Sequence, residues 1–276
     1  MVSTRNALDE VTREAGTAID RIARLGFAAK GLVALMIGAL ALELALGRPG
    51  GSLAGPNDAL RHFLDQRLGW FTLGVLAVGL WAYALWKLVQ AFFDPEQKGT
   101  SFTGMAERIG FGITALGYLV LGLAAVQLLL GHQVGGATNP DQLAAHVLSA
   151  PLGRWVTGLV GGIVVISGIV QVRFGLSGGF RHILRLDQMS AAGRVALTLV
   201  AGAGYVALGI ISAVVGWFLI QVALHYDPRL AGGWSEALGF LAGLSEGRWV
   251  LGVVGAGLFC YGLYFIFLAR YRRRIT

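Results

Sequence analysis

Six uninterrupted apolar runs constrain this chain more than any other feature of its sequence. A helix rises 1.5 Å per residue, so about 20 residues cover the roughly 30 Å hydrocarbon core of a bilayer. Each run reaches that length, and together they cover approximately residues 25–46, 68–92, 109–131, 152–174, 195–222 and 248–268. Because the runs do not alternate polar and apolar residues as barrel strands do, the sequence predicts an all-α integral membrane protein with six transmembrane helices.

The charged residues support this class and predict an orientation. Only 13% of the residues are charged and the mean hydropathy is +0.67, which excludes a soluble globular domain, where about 25% is usual. The side that holds both termini has 16 of the 22 Lys and Arg but only 8 of the 15 Asp and Glu, so the net charge of +7 divides into +8 and −1. By the positive-inside rule both termini are predicted to be cytoplasmic.

A unit of about 85 residues recurs three times along the chain. Each unit has a long apolar helix, a short amphipathic outer helix (57–67, 139–150 and 234–245) and a second long helix. Because every unit enters the membrane in the same orientation, the repeats are parallel, and three of them predict a pseudo-threefold bundle. The predicted organisation is an amphipathic cytoplasmic helix at 1–21, repeat 1 at 22–94, a linker at 95–107, repeat 2 at 108–177, a basic linker at 178–193 and repeat 3 at 194–273.

Short motifs mark the repeats. The first helices share an Arg-x-Gly-Phe entry at 24–27 and 108–111 and a Gly-Tyr pair at 117–118 and 204–205, and the second helices share Gly-Arg-Trp at 153–155 and 247–249. Over residues 22–273 this pattern resembles the bacterial domain of unknown function 1206 (DUF1206) family. The resemblance implies three two-helix modules in the bacterial cytoplasmic (inner) membrane and brings no activity with it. The first unit departs from the pattern, with Ala34 in place of the tyrosine and Trp70-Phe71 in place of Arg-Trp.

Polar residues inside the first helices are candidates for a functional site, because an ionisable group within a membrane is costly. Glu43 lies five residues after Gly38, and Gln127 lies five after Gly122. In the third unit Val214 lies five residues after the equivalent glycine, Gly209. Glu43 and Gln127 are therefore predicted to line a solute or ion path, with contact between Glu43 and lipid headgroups as the alternative.

Two histidines share one position of the short outer helices. His62 and His146 each lie seven residues before the glycine that opens the next long helix, and the third unit has Phe240 there. They are further candidates for lining the path, or else half-buried residues of amphipathic helices. Two imidazoles are too few ligands for zinc, so neither a metal nor a cofactor is predicted.

A third set of equivalent positions in the repeats contains mainly residues with hydroxyl groups. Tyr83, Ser167 and Tyr261 each lie nine residues after an equivalent glycine of the second helices. The spacing predicts either a ring of hydroxyls around an inner cavity or hydrogen bonds between helices.

Other residues are assigned to the membrane surface and to packing. Trp70, Trp155 and Trp249 begin the second helices and are predicted to form an aromatic belt, with Arg154 and Arg248 reaching headgroup phosphates. Many of the 42 glycines are predicted to pack helices closely, with Gly158/Gly162 and Gly252/Ala256 as the pairs.

These features favour a non-enzymatic protein that is channel-like or transporter-like or that binds a small solute. The alternative is a structural membrane protein that binds a partner or lipids and has no transport path. Nucleophile elbows, phosphate-binding loops and dinucleotide motifs are missing from the sequence, and the single cysteine, Cys260, provides neither a disulfide nor a cysteine zinc site. The expected partners are membrane lipids, including anionic headgroups at the cytoplasmic face, and a second copy or another membrane protein, but not nucleic acid.

Overall fold

The computed structural model describes residues 2–95, 99, 101–132, 140–179 and 190–271, with the backbone alone at 2–19, 102 and 271. Apart from one short 3-10 helix at Pro228–Leu230, the regular elements of this part of the chain are α-helices. Their bounds are α1 Val2–Ala45, α2 Pro56–Leu64, α3 Gly69–Phe93, α4 Phe102–Leu129, α5 Pro140–Leu148, α6 Gly153–Ser177, α7 Ala191–His225, α8 Trp234–Ala242 and α9 Gly247–Tyr271.

The six long helices confirm the predicted all-α membrane fold. The segments that are long and apolar enough to cross a bilayer are Asp20–Ala45, Gly69–Phe93, Thr103–Leu129, Gly153–Ser177, Ala191–His225 and Gly247–Arg270. Their mean hydropathies run from 1.6 to 2.2. Each segment can therefore lie in the bilayer, because a helix forms its backbone hydrogen bonds within itself.

On the side of the termini, the helices extend further than the apolar runs suggest. Helix α1 is continuous from Val2 into the first span. Helices α4 and α7 begin within the predicted linkers, where the Oγ atoms of Ser101 and Ser190 accept hydrogen bonds from Gly104 N and Gly193 N at 3.2 and 3.1 Å. Such serine caps satisfy donors that the first turn leaves unpaired. Residues 180–189 of the predicted basic linker and residues 272–276 lie outside the described residues.

The short outer helices form as expected, and acidic residues cap two of them, α2 and α8. Asp58 Oδ2 accepts a hydrogen bond from Gly55 N at 2.9 Å, and Glu236 Oε2 accepts one from Gly233 N at 2.8 Å. Asp58 Oδ2 also accepts a hydrogen bond from Ser235 Oγ at 2.9 Å. This side chain therefore joins α2 to α8 at the outer end of the bundle.

The repeats pack on one another in a cyclic order. The second helix of each repeat packs along the first helix of the next, which pairs α3 with α4, α6 with α7 and α9 with α1. Within repeats 1 and 3 the two long helices also pack together, as α1 with α3 and α7 with α9. Among the described residues α4 packs along neither α6 nor α7, so the long helices form an open arc in the order α4, α3, α1, α9, α7, α6.

Glycines at seven-residue spacing make two of these contacts close. On α6 and α7, the pairs of opposed glycines are Gly161 with Gly216, Gly168 with Gly209 and Gly175 with Gly202. On α1 and α9, they are Gly31 with Gly262 and Gly38 with Gly255. A Cβ at Gly31 would lie 2.8 Å from the carbonyl oxygen of Gly262, so only glycine allows this approach of the backbones.

The predicted small-residue pairs were wrong in their second members. A Cβ at Gly162 would meet nothing within 4 Å, and Ala256 is exposed. The face of α6 that contacts α7 instead continues from Gly158 to Gly161, and the face of α9 that contacts α1 continues from Gly252 to Gly255. Residues three, four or seven positions apart lie on the same face of a helix.

The packing also shifts the register of the third repeat. Gly161 and Gly255 both lie eight residues after the glycine of Gly-Arg-Trp, and they face Gly216 and Gly38 respectively. The third equivalent of Gly38 and Gly122 is therefore Gly216, seven residues later than Gly209. In this register the residue that corresponds to Glu43 and Gln127 is Gln221 rather than Val214.

Candidate functional site

A cavity of about 420 Å³ lies between α1, α4 and α7, the first helices of the three repeats. Its side walls include the apolar side chains of Val33, Ile37, Leu121 and Leu208. The volume falls within the range of about 300–1,000 Å³ that is usual for ligand pockets. The first helices of the three repeats therefore border a space of ligand size beside the packed core of the bundle.

Lys30 provides a cationic group at the inner end of this cavity. It lies ten residues from one end of the spanning segment Asp20–Ala45 and fifteen from the other, about 15 and 22 Å along the helix. The ammonium Nζ donates a hydrogen bond to Tyr83 Oη at 3.1 Å. The side chain is half-buried, so part of it borders the cavity.

Aromatic rings surround the same ammonium group. Its Nζ lies 4.3 Å from the ring centroid of Phe265, 4.9 Å from that of Tyr83, 5.3 Å from that of Tyr261 and 5.6 Å from that of Tyr118. Each such contact stabilises a desolvated cation by up to about 2 kcal/mol. Among the described side chains, no carboxylate forms an ion pair with Lys30.

The rings around Lys30 belong to a larger aromatic cluster that closes the cavity on the side of the termini. Tyr83 and Tyr118 contact edge-to-face with centroids 4.5 Å apart, and Tyr205 contacts Tyr261 in the same way at 5.5 Å. Phe27 and Trp86 are buried in this cluster with Leu268. All six long helices contribute to this cluster, with Phe174 of α6 packed against Tyr205. The rings that contact the Lys30 ammonium come from α3, α4 and α9.

The outer end of the cavity is covered by the short helices α2 and α8. Pro56, Asn57 and Trp234 form this end. The Oδ1 atom of Asn57 is buried and makes no hydrogen bond. A buried polar atom without a partner is costly, so Asn57 gives the outer end of the cavity an unused polar group.

The structure brings together two residues of the predicted hydroxyl level. Tyr83 and Tyr261 are buried and both lie beside Lys30. Ser167 is exposed on α6, where its Oγ accepts a hydrogen bond from Gln171 Nε2 at 3.2 Å. Because α6 is the last helix of the arc, Ser167 lies away from the two tyrosines.

The four candidate path residues lie elsewhere. Glu43 is half-buried near the outer end of α1, and Gln127 is exposed near the outer end of α4. His62 is half-buried on α2, and His146 is exposed on α5. None of the four borders the central cavity, and their role in a solute or ion path stays a prediction. In the described part of the chain, His, Cys, Asp and Glu side chains form no group of three or more that suits a metal ion.

The residues assigned to the membrane surface have two different environments. Trp70, Trp155 and Trp249 are exposed at the outer ends of their helices. Arg154 Nε donates a hydrogen bond to Ala223 O at 2.7 Å, and Arg248 Nε donates one to Ala45 O. Both arginines therefore bind the last carbonyls of the neighbouring first helix, where a positive charge is favourable.

The sequence pattern does not single out Lys30, because its charge fits the excess of positive residues on the side of the termini. The sequence does contain a signal, because Lys30 is a charged residue within the apolar run 25–46, five residues after its start, and charged residues within spans are functional candidates by default. Thr114 is its equivalent in the second repeat and Leu208 in the third, and both border the cavity. The three equivalent positions therefore face one space, and only the first has a charge.

Comparison with known proteins gives a family but no activity. A family model described as "Domain of Unknown Function (DUF1206)" matches residues 25–94, 109–178 and 203–272. These three starting points agree with the register that the helix packing indicates. The chain is also 31% identical over 266 residues to "Uncharacterized protein YxxB" of Bacillus subtilis (strain 168), covering 96% of this chain and 95% of that protein. No solved structure matches the chain.

Proposed function

The chain belongs to the DUF1206 family, and for this member we propose a non-enzymatic function in which the bundle binds a small, largely apolar solute in its central cavity. The observation that supports the proposal is the cavity of about 420 Å³ between the first helices of the three repeats. Its walls are mostly apolar, with a few polar groups at the two ends, which is the usual composition of a small-molecule site.

The position of the cavity favours binding over an open channel. On the side of the termini it ends at the level of Lys30, beyond which Phe27, Trp86 and Leu268 are packed in the buried aromatic cluster. A solute that enters the cavity is therefore held at Lys30, and passage toward the cytoplasm would require this cluster to open.

The packing of the helices favours entry from the bilayer. Helices α4 and α7 both line the cavity, yet they do not pack along each other in the described part of the chain. On α4, Gly117 and Val120 border the cavity and are also exposed. An apolar solute dissolved in the membrane can therefore reach the cavity between α4 and α7.

A second candidate function is binding of a membrane partner. The ends of the helix arc leave large apolar side chains of α4 and α6 exposed, among them Leu116 and Ile163. Lipid, a second copy or another membrane protein can cover these faces. This alternative does not require the cavity to be occupied, which separates the two candidates experimentally.

The test uses protein in lipid nanodiscs and two fluorescent probes, 9-anthracenecarboxylate and 9-anthracenemethanol. Energy transfer from tryptophan, including Trp234 at the cavity, reports binding. We expect saturable transfer to at least one probe, and we expect the substitution Gly117→Leu to abolish it by filling the entrance. A Cβ at Gly117 meets nothing within 4 Å, so the fold should tolerate this change.

Gly110→Leu is the matched control. Gly110 lies on the same helix, its Cβ position is equally open, and it does not border the cavity. This variant should bind as the wild type does. Unsaturable transfer for both probes, or saturable binding that Gly117→Leu leaves intact, would exclude the cavity as the binding site.

A further inference from the structure

We infer that the solute is a monovalent organic acid, an apolar body with one carboxylate, and that the Lys30 ammonium binds this carboxylate. The inference rests on the proposed function, since it requires an occupied cavity. It adds the chemical class of the solute and the residue that selects it.

The first argument is the number of hydrogen-bond donors. An ammonium group has three N–H donors and no acceptor. In the structure the Lys30 ammonium donates one hydrogen bond, to Tyr83 Oη. The rings of Phe265, Tyr261 and Tyr118 stabilise the charge but accept no conventional hydrogen bond through their faces. A carboxylate in the adjacent cavity can accept from the remaining donors.

The second argument is charge balance. A cation inside a membrane is normally paired, and no described carboxylate pairs with Lys30. A monocarboxylate neutralises a single lysine, whereas a dianion such as a phosphate monoester would leave a negative charge in an apolar site. Recognition of phosphate typically uses arginine forks or helix N-termini, and the residues bordering this cavity include no arginine.

The third argument is the environment of the other lysine of the cluster. Lys87 Nζ donates a hydrogen bond to Gln90 Oε1 at 2.7 Å and lies 4.4 Å from the ring centroid of Phe111. It does not border the cavity. Lys87 is thus partnered within the protein, while Lys30 is directed to the space where a ligand fits.

The test compares the two anthracene probes in nanodiscs, since they differ only in the acidic group. Lys30→Met should weaken saturable binding of 9-anthracenecarboxylate by about 10- to 100-fold, the range expected for a hydrogen bond to a charged group. Binding of 9-anthracenemethanol should change by less than about threefold. Lys87→Met is the matched control: Lys87 does not border the cavity, so its loss should weaken the binding of neither probe. Lys30→Gln, which keeps a polar group without the charge, gives the same test if the methionine variant does not fold.

Each outcome distinguishes the two proposals. If Lys30→Met leaves the affinity for the acid unchanged while Gly117→Leu abolishes it, the cavity binds a solute but the assignment to Lys30 is wrong. If neither probe binds saturably to the wild type, both proposals are overturned. Competition by octanoate in the buffer or by palmitate incorporated in the bilayer shows whether a water-soluble acid or a membrane fatty acid is preferred.

Discussion

At the scale of single residues, Lys30 shows how a charge is held inside an apolar helix. It is half-buried in the half of its span nearer the termini, and its ammonium group has one hydrogen-bond acceptor and four aromatic rings around it. The rings come from α3, α4 and α9, so the contacts depend on long-range packing. Replacement of any one of these aromatic residues should therefore change both the position of the ammonium group and how strongly its charge is stabilised.

The hydrogen bond from Lys30 to Tyr83 should be measurable by a double-mutant cycle. We expect Tyr83→Phe to lower the free energy of unfolding by about 1.5–3 kcal/mol, because it removes an acceptor from a charged donor while keeping the ring. In a Lys30→Met background the same substitution should cost little, because the donor is gone. Unfolding by sodium dodecyl sulfate in mixed micelles provides the measurement. Equal effects in the two backgrounds would show that the 3.1 Å contact does not contribute to stability.

Sequence alone could find part of this site and not the rest. Tyr83 and Tyr261 were found because parallel repeats place equivalent residues at equal depth. Ser167 shares their position in the repeat but not their surroundings, since α6 ends the helix arc. Lys30 was missed because its environment comes from helices that are distant in sequence, whereas its charge also fits the cytoplasmic excess.

At the scale of helices, hydropathy and residue spacing predicted the elements that depend on local sequence, namely the spans and the short helices. The six spans follow from apolar length and the three short helices from amphipathic patterns. The predicted bounds agree within six residues for the spans and within three for the short helices. The register of the third repeat was not found, because glycines at 202, 209 and 216 match those at 31 and 38 equally well after a shift of one heptad. Only the partner helix decides between such self-similar alignments.

The glycine contacts between α6 and α7 should be sensitive to a single methyl group. A Cβ at Gly168 would lie 2.6 Å from Gly209 O and 2.8 Å from Ala213 N, both backbone atoms that cannot move aside independently. We expect Gly168→Ala to lower the free energy of unfolding by about 1–3 kcal/mol, the usual cost of overpacking. Reversible unfolding by sodium dodecyl sulfate in mixed micelles measures the change.

Gly162→Ala is the control for that prediction. It adds the same methyl group to the same helix, but its Cβ position meets nothing within 4 Å. Stability should be unchanged or slightly higher, because alanine favours the helix over glycine. If both alanine variants lost stability equally, the loss would reflect glycine itself rather than the close approach to α7.

At the scale of the whole molecule, three similar repeats produce an asymmetric bundle. The contacts α9 with α1 and α6 with α7 use the same opposed glycines and the same arginine bound to a helix end. The contact between α3 and α4 instead has the Trp81 ring over Gly122. Together with the separation of α4 from α6, these differences leave one side of the cavity open. The differences between the repeats therefore account both for the charge of Lys30 and for the opening through which a solute can reach it.

The orientation of the molecule decides which side the outer end of the cavity faces. The side with both termini has an excess of +8 and the other side −1, so we expect the short helices to face away from the cytoplasm. In a Cys260→Ser background, Ser245→Cys should react with a membrane-impermeant maleimide added to intact spheroplasts. Ser177→Cys, at the opposite end of the bundle, should react only after permeabilisation. Both serines are exposed, so a difference in labelling reports the side of the membrane rather than burial. Labelling of Ser177→Cys alone in intact spheroplasts would reverse the orientation and place Pro56, Asn57 and Trp234 on the cytoplasmic side.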